Sequence, residues 1–289
     1  MDPVLLEAGE GETITHESSR FVQIKASLEY LALTDNRYAA GERGPAPHVH
    51  REHADCFFVL GGELGFELGA ECERVTASAG SFVMVPPGVV HTFGNEGPAD
   101  ADFLNLHAPS KGFADHLRAG GDGEEFDTFD PPADGGRPAA EAVVRGPREG
   151  EVLELGPSTV TIKVGGGDAI GSLAVCENSV AAGFPGPIPH RHAGMVDAFW
   201  VLAGTLTVLA GDETFEIREG GFAAMPPGVR HTFSNPGDLP VRVLNVFAPG
   251  GFEGYLREFA EFAAHDPGAL PDPGTMARLA SKYDFEALP

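Results

Sequence analysis

The chain repeats itself. Residues 31–50, LALTDNRYAAGERGPAPHVH, lie over residues 173–192, LAVCENSVAAGFPGPIPHRH, at an offset of 142. From Tyr30 to Gly62 there are 16 identities in 33 ungapped positions, and GSFVMVPPGVVHTFGN (80–95) then lies over GGFAAMPPGVRHTFSN (220–235) at an offset of 140. Two such blocks in the same order exclude coincidence. A period of about 140 with only two copies excludes a solenoid. The chain therefore reads as one domain duplicated, with units 1–144 and 145–289, each long enough to bury its own core. Residues 121–150, rich in Gly, Pro and charge, read as a surface linker between the copies.

Within each copy the pattern is that of short strands. FVQIKAS (21–27), YLALT (30–34), FFVLGGELGFEL (57–68), SFVMVP (81–86) and DFLNLHA (102–108) are β-rich and separated by Gly, Pro or Asn turns. The second copy answers with 159–164, 172–176, 198–211, 215–219, 221–226 and 241–249. With 39 Gly and 24 Pro in 289 residues, long helices have little room. Helical periodicity is confined to 112–120, 251–264 and 275–283. The expected class is all-β, a sandwich or barrel per copy.

Histidines recur in register. His48 and His50, then His190 and His192, stand two apart, a spacing that puts both rings on one face of a strand. A third, His91 or His231, follows a Pro-Pro-Gly turn. A carboxylate, Asp55 or Asp197, stands five residues after the second histidine of each pair. Imidazole with carboxylate suits a divalent transition metal (Fe, Mn, Ni, Co, Cu or Zn), and three His plus one Asp leave coordination positions open. One metal per copy is expected. Glu52 continues the alternation in the first copy only and, like His53, reads as loop surface. Lys25 and Lys163 read as surface charges, and Cys56, next to Asp55 on a strand, as an outward thiol. Phe57, Val59, Phe82 and Phe93, matched by Phe199, Val201, Phe222 and Phe233, are the expected cup lining. The copies part at His107 and Phe247, so the two cups need not take the same ligand.

The frames G-x6-H-x-H-x4-D-x6-G (Gly41 to Gly62, Gly183 to Gly204) and G-x5-P-x-G-x2-H-x3-N (Gly80 to Asn95, Gly220 to Asn235) resemble the two motifs of the cupin superfamily. The duplicated chain resembles a bicupin. That resemblance implies a small barrel or jelly roll per copy, with metal held by His48, His50 and His91, and by His190, His192 and His231. It departs at the acid: cupins usually carry Glu where this chain has Asp55 and Asp197. The shorter side chain either ligates the metal directly or orients a ligand or water beside it. NVFAPGGFEGYLREF (245–259) and ARLASKYDFE (277–286) resemble the ends of small cupins grouped with quercetin 2,3-dioxygenase-like proteins.

The implied function is a metal-dependent dioxygenase for a small apolar or aromatic substrate, flavonol-like or enolisable, with Asp55 and Asp197 as catalytic general bases. Two other classes remain: a non-catalytic metal- or small-molecule-binding cupin, and a metal-dependent isomerase or lyase of a sugar or keto acid. The formal charge of −24 disfavours nucleic-acid and membrane partners. The expected partners are a small-molecule substrate and a second copy of the chain in a homodimer. Three isolated cysteines, no 18-residue apolar run and no basic, apolar leader fit a cytoplasmic protein.

Overall fold

A computed structural model describes residues 1–121, 126–136, 138, 140–265 and 273–288. The chain divides into two compact units. The N-terminal unit comprises Gly11–Glu149 with Asp168–Ser172, and the C-terminal unit comprises Met1–Glu10, Gly150–Gly167 and Leu173–Pro289.

Each unit is a pair of antiparallel sheets. In the N-terminal unit the large sheet runs, in spatial order, Val143–Arg145, Phe82–Val85, Ala54–Gly61, Ala101–Ala108, Ala32–Tyr38, Arg20–Ser27 and Glu12–His16. The small sheet is Glu73–Ser78, Glu63–Leu68 and His91–Gly94. In the C-terminal unit the large sheet runs Val4–Leu6, Phe222–Met225, Val196–Ala203, Val241–Ala248, Ala174–Val180, Ser158–Val164 and Glu151–Leu155. Its small sheet places Thr205–Ala210 and His231–Ser234 between Glu213–Arg218 and His190–Arg191. The expected all-β duplicated fold is present.

Cores form between the two sheets of each unit: small-sheet strands such as Glu63–Leu68 alternate buried and more exposed residues, while central large-sheet strands such as Phe82–Val85 are apolar and buried throughout. Phe57, Val59, Val83 and Val85 of the large N-terminal sheet pack on Leu64, Phe66 and Leu68 of the small one. Phe199, Val201, Leu206 and Val208 do the same in the C-terminal unit. The apolar stretches 57–68 and 198–211 each break at one glycine. Gly62 has φ +69° and Gly204 has φ +87°, and there the chain leaves the large sheet for the small one. A positive φ is what a side chain would resist.

Helices are few. They span Phe113–Arg118, Glu253–His265 and Pro273–Lys282; residues 271–272, just before the last of these, lie outside the described residues. Among the described residues no helix is long and apolar enough to cross a membrane.

Several surface expectations are corrected. Lys25 and Lys163 are buried, with no side-chain exposure, 3.5 Å from Asp35 and 3.7 Å from Glu177. Each is the residue skipped where its strand loses register, between Ile24 and Ala26 and between Ile162 and Val164. Such irregularities re-aim a side chain, and alternation alone does not show them. Cys56 is fully buried, because both faces of its strand are covered. Cys176 is buried too, and desolvation pushes both thiols up, so they are inert thiols.

Candidate metal centres

Two clusters face into the cups. His48, His50, Asp55 and His91 bring one ligand atom each to within 4.8 Å of one another, and so do His190, His192, Asp197 and His231. The ring centroids of His48, His50 and His91 stand 4.8, 4.3 and 5.1 Å apart, against 5.0, 4.4 and 5.2 Å in the second cluster. The structure thus brings all eight expected residues into two matching sets.

Backbone geometry explains the match. His48 and His91 exchange backbone hydrogen bonds of 3.0 and 2.9 Å, and His190 pairs with His231 in the same way. The Pro-Pro-Gly turn fixes the remaining histidine. Gly88 and Gly228, both at φ +86°, donate their N–H groups at 2.7 Å to the carbonyls of His50 and His192. The side-chain amides of Asn95 and Asn235 staple the turn beyond the third histidine, donating Nδ2–H to backbone carbonyls that include those of Tyr38 and Val180.

The chemistry of the donor set fits a metal ion. Each of the six histidines donates its Nδ1–H to a carbonyl: Ala46, Asp127 and Val89 in the first cluster, Ile188, Asp284 and Val229 in the second. That fixes the tautomer and leaves every Nε2 with a lone pair facing the centre. The Nε2 atoms of His50 and His192 are buried and have no hydrogen-bond partner. His91 Nε2 lies 3.2 Å from Asp55 Oδ2, and His231 Nε2 lies 3.3 Å from Asp197 Oδ2. With their one N–H already committed, these rings meet the carboxylates lone pair to lone pair. A cation between them resolves that conflict. Burial and the neighbouring histidines push His48 down to about 4 and His190 to about 3, so both rings are neutral at ordinary pH, as ligands must be.

The shorter acid lies beside the histidines. Asp55 Oδ2 is 3.8 Å from His50 Nε2, and Asp197 Oδ2 is 3.9 Å from His192 Nε2. The other oxygen of each is held by an asparagine. Asn105 Nδ2 donates to Asp55 Oδ1 at 2.5 Å, and Asn245 Nδ2 donates to Asp197 Oδ1 at 2.6 Å. Burial alone would raise the Asp55 pKa. His107 and the rings of His50 and His91 outweigh it and hold the carboxyl well below the usual carboxylate range. The two asparagines recur at an offset of 140, a signal present in the sequence.

Two supporting carboxylates carry no repeat signal. Asp127 accepts the N–H groups of Arg51 and Glu52 at 3.1 and 2.7 Å, while its own carbonyl accepts from His50. Asp284 does the same for Ala193, Gly194 and His192. Asp127 lies inside the expected linker. Part of that segment is therefore not a passive spacer: Phe126 packs on His50 and His53, and Phe129 bonds Val49.

His53 corrects another surface expectation. It is fully buried, donating Nδ1–H to Asp127 Oδ2 at 2.9 Å, with Nε2 2.8 Å from His107 Nδ1. His107 Nε2 lies 3.0 Å from Asn105 Oδ1 and 3.5 Å from Asp55 Oδ1. Glu52 pairs with Lys111 and stays solvated.

The lining also differs from expectation. Of the eight apolar residues expected in the cups, Phe93 and Phe233 border the cavities. Phe57, Val59, Phe199 and Val201 sit deeper, between the sheets, and Phe82, paired with Phe58, is on the opposite face from Asp55. Phe222, paired with Trp200, is likewise off the cup face. The remaining walls come from other strand positions, such as Tyr38 and Phe103 or Val160 and Phe247, and from segments outside the strands, including Phe113 and Phe126 in the N-terminal unit and Phe252 and Phe285 in the C-terminal one.

Two sheets per unit, a three-histidine, one-carboxylate cluster in each cup and the duplication define a bicupin fold with two sites built for metal. The family model for the Cupin domain matches twice, at residues 36–107 and 179–247. The chain therefore carries the cupin domain in both halves. No curated protein sequence matches the chain. Solved structures do. Oxalate decarboxylase from Bacillus subtilis, described for its Mn(II) centres, superposes with a TM-score of 0.61 at 14% identity, covering 100% of this chain and 89% of that one. The putative glyoxylate-induced protein from Pseudomonas aeruginosa gives 0.61 at 16% identity, with coverage of 85% and 87%. The 11S globulin of Wrightia tinctoria, described as revealing an auxin binding site, gives 0.60 at 12% identity, with coverage of 86% and 84%. At these identities the likeness is one of fold.

Proposed function

We propose that this protein is a metal-dependent dioxygenase that acts on a small apolar or aromatic substrate with an enolisable or phenolic hydroxyl. The observation that carries the reading is the position of each His3Asp cluster on a cavity walled by aromatic side chains. Such a wall selects flat apolar molecules, and the cluster supplies the few convergent polar groups that orient them. The three histidines of each cup would hold a divalent metal together with the aspartate, and the metal would bring substrate oxygen and dioxygen together.

The chain's own residues hold the geometry and the proton. Asn105 and Asn245 pin one oxygen of Asp55 and Asp197, so the other stays on the cluster. An ionised carboxylate there is placed to take the hydroxyl proton of the substrate.

A lyase or isomerase acting on a keto acid is the second reading. It is favoured by the N-terminal cavity, which borders Arg20 and Arg118 and contains His107. Oxygen-electrode measurement across a panel of flavonols, catechols and keto acids separates the two. Oxygen uptake with the hydroxylated aromatics is the expected result. Conversion of keto acids with no oxygen consumed would replace the dioxygenase reading with the lyase one.

A further inference from the structure

The two cups differ in size and in charge. The C-terminal cavity measures about 310 Å³ and the N-terminal one about 890 Å³. Among the described residues the smaller cavity has no Lys, Arg or Glu on its lining. Apart from the Tyr255 phenol, its ionisable groups are His190 and Asp197 of the metal cluster. Where the N-terminal unit buries the polar pair His53 and His107, the C-terminal unit has Met195 and Phe247, packed in an apolar cluster with Phe252, Tyr255 and Phe285.

Three rings of that cluster, Phe252, Tyr255 and Phe285, are aligned, while Phe247 is tilted by 52° to Phe252. Phe252 and Tyr255 are 12° from parallel at 4.9 Å, and Tyr255 and Phe285 are 14° from parallel at 5.4 Å. Phe285 lies 22° from parallel to His190 at 4.6 Å, so the alignment extends to an imidazole of the metal cluster. The N-terminal unit has two stacked pairs, Tyr38 with Phe93 at 23° and His107 with Phe113 at 26°, but no run of three parallel rings among the described residues, and contacts such as Phe57 on Phe66 at 71° are edge-on. A planar guest lying parallel to these rings meets faces and offset edges together, the preferred aromatic arrangement. Away from the metal cluster, a charged guest would lose its hydration and find no counter-charge on the described wall.

We propose that the C-terminal cup is selective for a flat, uncharged aromatic ligand of one or two rings, laid parallel to Phe252, Tyr255 and Phe285. The cavity is at the small end of the usual range for ligand sites, roughly 300–1,000 Å³, which sets the ring count. The inference rests on the oxygenase reading only in naming the substrate class of one of its two cups.

The test uses the full, metal-loaded chain and two probes of the same shape. These are 2-methoxynaphthalene, which is uncharged, and naphthalene-2-sulfonate, which is anionic and a poor metal ligand. Isothermal titration should show one equivalent of the ether bound per chain and at least tenfold weaker binding of the sulfonate. Phe252→Ala should weaken the ether at least fivefold. Phe252→Leu keeps the apolar volume, so it guards against a merely unfolded variant, and it should weaken the ether about threefold with an unchanged melting temperature. Equal affinity for both probes overturns the proposal. So does no binding, two equivalents, undiminished affinity in both Phe252 variants, or loss of the ether on His107→Phe instead. The oxygenase reading fails separately. Ether binding without oxygen uptake from any substrate sinks that reading alone. Oxygen uptake from charged substrates, with the ether unbound, sinks the present one alone.

Discussion

His53 Nε2 lies 2.8 Å from His107 Nδ1 at the place where the C-terminal unit sets Met195 against Phe247. One fold position, used twice, is filled once by a hydrogen-bonded pair and once by an apolar pair. Each filling satisfies its own members, and a mixed pair would not.

That relationship predicts strong non-additivity. His107→Phe alone should destabilise the N-terminal unit, since His53 Nε2 is left buried against an aromatic ring. His53→Met alone should do likewise to His107. The double substitution should recover most of the loss, with a coupling of about 1–3 kcal/mol by chemical denaturation. Additive losses would show that the two imidazoles do not act as a pair.

Metal stoichiometry should follow the cluster division. His50→Ala and His192→Ala should each lower the metal content, measured by elemental analysis, from two ions per chain to one. The ligand sets are complete within each unit, so loss of both ions from one substitution would contradict the division.

Acid should release the metal and weaken the fold over a definite window. His48 and His190 are held at about 4 and about 3, below the ordinary value of 6.5, chiefly by burial. Below pH 6.5 the unfolded chain therefore binds protons that the folded chain refuses. Stability is full above about 6.5 and falls as pH drops toward 4 at the first cup and 3 at the second. Thermal melts of metal-free protein between pH 7 and 4 should fall monotonically. A melting temperature that rises on acidification would refute the assignment of neutral rings.

The acid in each cluster separates ligation from proton transfer. Asp55→Asn and Asp197→Asn keep an oxygen for Asn105 or Asn245 but remove the charge. Metal content should fall modestly while oxygen consumption from that cup collapses. Full metal and full turnover in both variants would reduce the carboxylates to structural groups.

Asp127→Ala should cost about 1–3 kcal/mol, because it strands the buried Nδ1–H of His53, and Asp284→Ala less, because the N–H groups it releases are exposed to water. Differential scanning calorimetry should show the Asp127→Ala loss as a shift of several degrees confined to the affected unit. A shift under one degree would mean that water replaces the carboxylate without loss.

Much of this architecture is visible in the residues alone. The eight cluster residues stand out because the repeat places them in register, and period-two alternation aims both histidines of each pair into one cup. Asn105 and Asn245 are equally visible by the same repeat, although an asparagine on a strand gives no hint that it grips a carboxylate. Lys25 and Lys163 mislead because a strand irregularity overrides alternation. His53 misleads because Arg51 and Glu52, its exposed neighbours, suggest a surface loop, while its partner Asp127 is 74 residues further along.

The division has a physical cause. Duplication, strand class and the metal-ligating sets follow from local spacing, since alternation and turn chemistry act between residues close in the chain. Which phenylalanines wall each cavity, which carboxylate steadies each histidine loop, and whether a buried pair is polar or apolar depend on segments returning from far along the chain. Those contacts are decided by complementary shape and by the need to satisfy every buried polar atom, and both exist only once the sheets have packed.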